Sequence, residues 1–446
     1  MEKKINILLL TSYFPPDNHV GSWRWERLVR CMPSGSFKFF VVTADNNVDY
    51  LAENKDLSSL QVVKRVSNLY GFSLRKLYKL LRKKKTVDER AKRISTTAVM
   101  KKSRFAHVRR WLSLVLDFPD FSWRGKFFLM AACEDILKVQ KIDIIIASHP
   151  YALPLRCASL LSAKYGIPWI ADMRDGWTGN LFSPYLDYPV LNYFLGLAEK
   201  KVLRSASSVV VINDELAKTI KCNESKKFVI SNAFEKVNPR DAKKDNDGIL
   251  HLVFTGGVKE PHFYRAFLDG LKLHNSHYPR SIVFDYFGRD FGILLRYARQ
   301  INLDENVLRN NGYVANSLAQ EASRKAGILV IFGWKGRFGE TYQSGKIFDY
   351  LSAGRPVLGV DNTDSCLGKQ ISNCRLGLVT VTPQEIANFL CKSISSEFFL
   401  KEVLSSFDHN EIGKYSVDST GKIYRKLIER VARQNGSKYS EQHAKE

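Results

Sequence analysis

The stretch Gly336 to Val360, GRFGETYQSGKIFDYLSAGRPVLGV, contains a loop, a helix and a strand in immediate succession. Ser344 and Gly345 open a helical pattern whose inward face is Ile347, Phe348 and Leu351. SAGRPV ends the helix and starts the apolar run of the next strand. The first N–H groups of a helix have no partner in a preceding turn, so Gly345 to Ile347 form a natural anion site. Lys346 adds a point charge there, and Asp349 lies one turn on, within reach of ligand hydroxyls. Glu340 in the preceding loop can accept in the same way. A capped core helix accounts for the apolar residues but not for Lys346 and Asp349 together.

Outward from this unit, the same alternation fills both halves of the chain. Upstream stand ILHLVFTG, SIVFDYFG, a short strand near Val307, and AGILVIF, with helical patterns between them. The first half reads INILLLTS, a helix from Trp23 to about Met32, then FKFFVVTA. IDIIIAS, a helix over Leu153 to Tyr165, PWIADM, SSVVVIN and KFVISN follow. Continuous apolar strands alternating with helices indicate parallel sheets covered on both faces. The polar, turn-rich segment Glu235 to Gly248 is the linker candidate. The expected fold is α/β, with two doubly wound Rossmann-like domains over residues 1–240 and 249–410. A C-terminal helix over 415–434 and a disordered tail over 435–446 complete the chain.

Residues 69–128 break the alternation and read as a basic, helical, aromatic insertion in the first domain. Tyr70, Phe72, Tyr78, Phe105, Trp111, Phe118, Phe121, Trp123, Phe127 and Phe128 interleave with its cations. From Gly71 to Arg110 the chain carries 15 Lys or Arg against two acids, Asp88 and Glu89. This window supplies more than half of the formal net charge of +23. Such a surface calls for an acidic partner: nucleic acid, anionic lipid or a phosphorylated substrate. The 7 cysteines are irregularly spaced without a CxxC pair, which argues against a disulfide framework or zinc site and fits a reducing cytosol. The N-terminal apolar run is too short for a signal peptide and reads as a buried strand. No segment approaches the ~18 apolar residues of a membrane span.

Ligands of open parallel sheets bind at the carboxyl ends of the strands. After the first strand, Gly21 permits close backbone approach at a helix start. After IDIIIAS stands His149, able to donate to a sugar hydroxyl or a developing charge. ADMRDGW brings Asp172, Arg174, Asp175 and Trp177 to another strand end. There Arg174 can bind phosphate and Asp175 can take a proton, or Asp and Arg can pair to shape the loop. FTGGVKEPHFYR offers Gly256 and Gly257 with Lys259 and Arg265 nearby, although a tight turn alone explains two glycines.

With LLLTSYFPP, IIIASHPYALP, GIPWIADMRDGW, LVFTGG, NNGYV and SGKIFDYLSAGRPVL, the chain resembles a family 4 glycosyltransferase of the GT-B fold. Such enzymes occur in bacterial surface-polysaccharide gene clusters. The resemblance implies an acceptor in the first domain, a nucleotide diphosphate sugar in the second, and chemistry in a central cleft. It assigns diphosphate binding to Ser344, Gly345 and Lys346, ribose to Asp349, and the nucleobase to the backbone of Gly312, Tyr313 and Val314. It gives His149 contact with the transferred sugar and makes Glu340 the other carboxylate. Arg174 and Trp177 fall on the acceptor side, and Gly21, Gly256, Gly257, Lys259 and Arg265 near the donor. Glu340 and Asp349 stand one position farther apart than the family pattern, the second is Asp rather than Glu, and Lys259 and Arg265 are out of register.

The implied reaction is sugar transfer from a nucleotide diphosphate sugar, retaining, with no metal or other cofactor. The implied acceptor is a lipid-diphosphate-linked saccharide, reached from the inner face of the cell membrane. The basic aromatic segment at about 75–128 would then lie on an anionic leaflet, although a solvated charged face has the same composition. No nucleic-acid motif accompanies the cations. A nucleotide-sugar epimerase of similar fold and a non-catalytic degenerate member are the alternatives.

Overall fold

The computed structural model describes residues 4–17, 20–45, 59–66, 111, 114–115, 118, 125–178, 180, 183, 185–235, 248–258 and 260–443. The linker candidate and most of the 69–128 insertion lie outside the described residues.

Among the described residues the first domain holds seven strands: β1 (Ile5–Thr11), β2 (Phe37–Ala44), β3 (Leu60–Val66), β4 (Ile144–Ser148), β5 (Trp169–Met173), β6 (Ser208–Val211) and β7 (Lys227–Val229). They form one parallel sheet in the order β3-β2-β1-β4-β5-β6-β7. The second domain holds β8 (Leu250–Thr255), β9 (Ile282–Phe287), β10 (Leu308–Gly312), β11 (Ile328–Phe332), β12 (Val357–Val360) and β13 (Gly377–Val379). These form a second parallel sheet, β10-β9-β8-β11-β12-β13. Every residue of β4, β5 and β6 is buried, as central strands covered by helices on both faces require.

Both sheets reverse direction beside their first strand, between β1 and β4 in one and between β8 and β11 in the other. The crevice outside the strand ends at such a reversal is where doubly wound sheets take ligands.

β3 has no counterpart among the strands read from the sequence. Its run LQVVKRV is an edge strand, and Lys64 and Arg65 interrupt the apolar signal that marks the central ones.

The last helix, Val417–His443, begins beside Phe234. Phe234 and Ser416 form an isolated parallel bridge, with Phe234 N donating to Tyr415 O at 3.0 Å and Val417 N to Phe234 O at 2.9 Å. The chain thus passes twice between the domains at one place. Tyr424, Leu427, Ile428 and Val431 then bury themselves in the first domain, with Tyr424 edge-on to Trp25 at 5.5 Å between centroids. The tail expected to be disordered from 435 is helical to His443. Once a helix is nucleated, each further residue adds a hydrogen bond without a new nucleation cost.

All seven cysteines are free thiols, and burial lifts the pKa of several, that of Cys31 to about 11. No described helix is long and apolar enough to cross a membrane.

Candidate active site in the interdomain cleft

A cavity of about 510 Å³ lies where the carboxyl ends of the two sheets meet. The first domain contributes Gly21, Trp23, Arg174, Asp175, Ile212 and Asn232. The second contributes Thr255, Gly256, Tyr313, Val314, Ser344, Gly345, Lys346 and Asp349, among others. Ten residues singled out in the sequence therefore share one cavity, although they come from five separate segments.

Lys346 is positioned by the turn after β8. Its Nζ stands 4.4 Å from the centroid of the Phe254 ring. Gly256 lies beneath it with φ +114, and a Cβ there would come within 2.5 Å of that Nζ. Gly256 thus serves twice, in a backbone conformation that L side chains avoid and as the floor of the lysine's channel. The helix Gly345–Ala353 starts beside it, and the Ser344 side chain makes no capping bond to it. Its first-turn N–H dipoles and the ammonium converge on the same end of the cavity. On the inner side, Ile347, Phe348, Leu351 and also Tyr350 are buried, with Tyr350 Oη donating to Val330 O at 2.9 Å.

Asp349 lines the cavity and is also an interdomain contact. Arg27 Nη2 donates to its Oδ1 at 2.8 Å, while Arg27 Nη1 donates to Ala233 O at 2.6 Å. A carboxylate has lone pairs for further donors, so this ion pair leaves room for a ligand hydroxyl.

Across the cavity, Arg174 Nε donates to His149 O at 2.8 Å. Its guanidinium lies against Gly21, where a Cβ would meet Nη1 at 2.7 Å. Burial raises the pKa of Asp175 above the ordinary carboxylate value, against the opposing pull of Arg174. Asp175 in turn adds to the rise of the Tyr342 phenol, which burial drives to about 12. Behind them, Arg24 and Asp172 form a fully buried ion pair at 2.8 Å. Ser148 Oγ donates to the other Asp172 oxygen at 3.0 Å, and Arg24 Nη1 to Ser231 O at 2.8 Å. Asp172 therefore follows the loop-shaping alternative, with Arg24 as its partner, and ties β5 to the first helix. Asn232, reached by Arg24 Nη1 at 3.3 Å, extends this frame to the cavity wall.

Six further sequence candidates among the described residues stand outside that lining. His149 is buried behind the lining, its Nδ1 lacks a hydrogen-bond partner, and burial, helped by Arg174, lowers its pKa to about 3. Trp177 belongs to the first domain's core and lies 6.3 Å from His149, ring to ring, because a large apolar side chain gains more there than on an open acceptor surface. Glu340 is exposed on the short helix Arg337–Thr341 and outside the lining. Arg265 stacks on the Tyr297 ring at 5.0 Å and is not part of the lining. Gly257 is exposed beyond the turn. Gly312 has φ +71 and sets the direction of the loop that carries Tyr313 and Val314 into the cavity. Lys259 lies outside the described residues.

The sequence reading missed Trp23, Arg27, Asn232 and Tyr342 on the cavity wall and its supports. Among the described residues, no three His, Cys, Asp or Glu side chains gather as a metal-binding group.

No family model matches the chain, and no curated protein matches it. Solved structures do. The α,α-trehalose 6-phosphate synthase of Burkholderia multivorans aligns over 98% of this chain and 99% of its own, at 10% identity and a TM-score of 0.61. HepE of Anabaena, solved in complex with UDP and glucose, aligns over 96% of this chain and 100% of its own, at 13% identity and a TM-score of 0.56. At such identities the likeness is one of fold. Two parallel-sheet domains with facing carboxyl ends, shared end to end with these proteins, give the chain the GT-B fold.

Proposed function

We propose that the protein is a glycosyltransferase that uses a nucleotide diphosphate sugar held in the interdomain cavity. The observation that carries this reading is the convergence of Lys346 and the start of the helix Gly345–Ala353 on one end of that cavity, with Asp175 contributed by the other domain. A diphosphate leaving group gains charge as the bond from the anomeric carbon breaks. Fixed N–H dipoles and an ammonium stabilise that charge most where water is excluded. The acceptor oxygen forms the new bond to the anomeric carbon and loses its proton to a base. Asp175 is the proposed base, supported by its place in the lining and its raised pKa. The resemblance implies retention of configuration; Asp175 acting as base would invert it, and the anomeric coupling constant of the product discriminates.

The donor sites proposed are Lys346 and Gly345 for diphosphate, Asp349 for ribose, and the Gly312 to Val314 loop for the base. Tyr313 there carries Arg289 on its ring at 4.1 Å. The acceptor proposed is a lipid-diphosphate-linked saccharide of a bacterial surface-polysaccharide pathway, reached by an enzyme peripheral on the inner face of the cell membrane. Its support is the excess of Lys and Arg over 71–110.

The test is a panel of nucleotide sugars with and without saccharide acceptors. Acceptor-dependent release of nucleoside diphosphate supports transfer. Isomerised donor with its diphosphate intact identifies an epimerase, and failure to bind any nucleoside diphosphate identifies a non-catalytic protein.

A further inference from the structure

The helix Pro189–Ser205 presents two apolar faces. Leu195, Val202 and Leu203 are buried against the first sheet. On the outside, Val190, Tyr193, Phe194 and Leu197 are 69%, 65%, 52% and 46% exposed. Their spacing of three, four and seven residues puts them on one stripe. Tyr193 and Phe194 meet edge to face at 5.8 Å. Isolated exposed apolar residues are ordinary, whereas a continuous stripe of this kind marks a contact surface.

Phe127 and Phe128 are 75% and 55% exposed in the first turn of the helix Lys126–Val139. This helix and Pro189–Ser205 pack into the same core cluster, on one face of the sheet. Each runs back toward the start of a parallel strand, so both N-terminal ends stand at the carboxyl edge of the sheet, where the cleft opens. Lys200, Lys201 and Arg204 are exposed along the C-terminal half of the striped helix. The Lys- and Arg-rich stretch 71–110 directly precedes Trp111 in the sequence.

We propose that the stripe Val190, Tyr193, Phe194 and Leu197 enters the headgroup layer of an anionic bilayer, with Phe127 and Phe128 meeting the same layer from a second helix on that face of the sheet, across the helix Ala152–Tyr165 that lies between them. Apolar and aromatic side chains with cations at their margin suit that layer, where rings sit at headgroup depth and Lys and Arg meet lipid phosphates. The proposal rests on the transferase reading only for its purpose, which is to bring the cleft mouth to a lipid-borne acceptor. It assigns insertion to a helix outside the 75–128 segment and leaves steering to the basic stretch.

The test is sedimentation of the full chain with vesicles of phosphatidylglycerol and phosphatidylcholine. The parent is expected to bind, less tightly as salt rises. Tyr193→Ser/Phe194→Ser is expected to partition at least about tenfold less strongly, with its melting temperature and nucleoside diphosphate binding unchanged. Phe127→Ser/Phe128→Ser provides an independent variant on the second helix of that face, expected to weaken partitioning in the same direction. Vesicle binding that both variants leave intact overturns the proposal. So does a parent that ignores vesicles, or one that forms dimers abolished by Tyr193→Ser/Phe194→Ser without binding vesicles. A parent that binds vesicles but no nucleotide would sink the transferase reading alone.

Discussion

Arg27 Nη2 donates to Asp349 Oδ1 at 2.8 Å, joining the first helix of one domain to the cavity helix of the other. Both side chains are largely buried, at 14% and 12% exposure, so the pair is screened less than a surface one. It also places a domain-to-domain contact on the carboxylate proposed to hold ribose. Arg27→Ala is expected to destabilise the protein by about 1.5–3 kcal/mol, the usual range for a hydrogen bond to a charged group. It should also alter nucleotide affinity, by releasing Asp349 and by loosening the approach of the domains. Differential scanning calorimetry and titration calorimetry measure the two effects.

Arg24 and Asp172 supply a contrast. Their pair is fully buried, and Ser148, Ser231 and Asn232 complete its hydrogen bonds. Removing one partner strands the other charge, so Arg24→Ala should cost about 3–5 kcal/mol. The loss should appear in chemical denaturation without any ligand. A variant as stable as its parent would deny this pair its place as the frame of the cleft.

Gly256 links backbone geometry to the lysine. Its φ of +114 and the nearby Lys346 Nζ leave no place for a methyl group. Gly256→Ala should both lower stability, by about 1 kcal/mol or more from the backbone alone, and push Lys346 from its channel. Nucleoside diphosphate affinity should therefore fall more than the stability loss requires.

His149 gives the protein an acid-sensitive element. Folding lowers its pKa from 6.5 to about 3, so at intermediate pH the unfolded chain binds a proton that the folded one does not. Stability from this group is present above 6.5 and declines as pH falls toward about 3. Asp175 works in the opposite sense. Its folded pKa is raised, so its burial costs stability as pH climbs through its own titration. His149→Asn should flatten the acid limb of a melting-temperature profile. Asp175→Asn should raise the neutral end and remove the ionisation that the proposed base requires. Profiles unchanged by either substitution would contradict these environments.

Much of this arrangement was legible in the sequence where local chemistry decides it. IIIAS, WIADM and ILVIF are continuous apolar runs because parallel strands are covered on both faces, and Ser344-Gly345-Lys346 announces a helix start with its own cation. β3 was not legible, since Lys64 and Arg65 on an edge strand erase the apolar run. Arg27 was not legible either, because its partner lies 322 positions away and only the packed domains bring them together. Arg265 and Glu340 had suitable charges close to suitable glycines, but the direction a helical side chain points is set by tertiary packing. Trp177 was drawn inward by the core beside the loop that carries Asp175.

The central claim is that Lys346 and the helix behind it hold a diphosphate. Titration calorimetry of the parent and of Lys346→Ala with a panel of nucleoside diphosphates tests it most directly. Loss of one charge-assisted contact predicts about tenfold or greater weakening for the preferred nucleotide, with an unchanged melting temperature in its absence. Equal affinity in a folded Lys346→Ala variant would contradict the account.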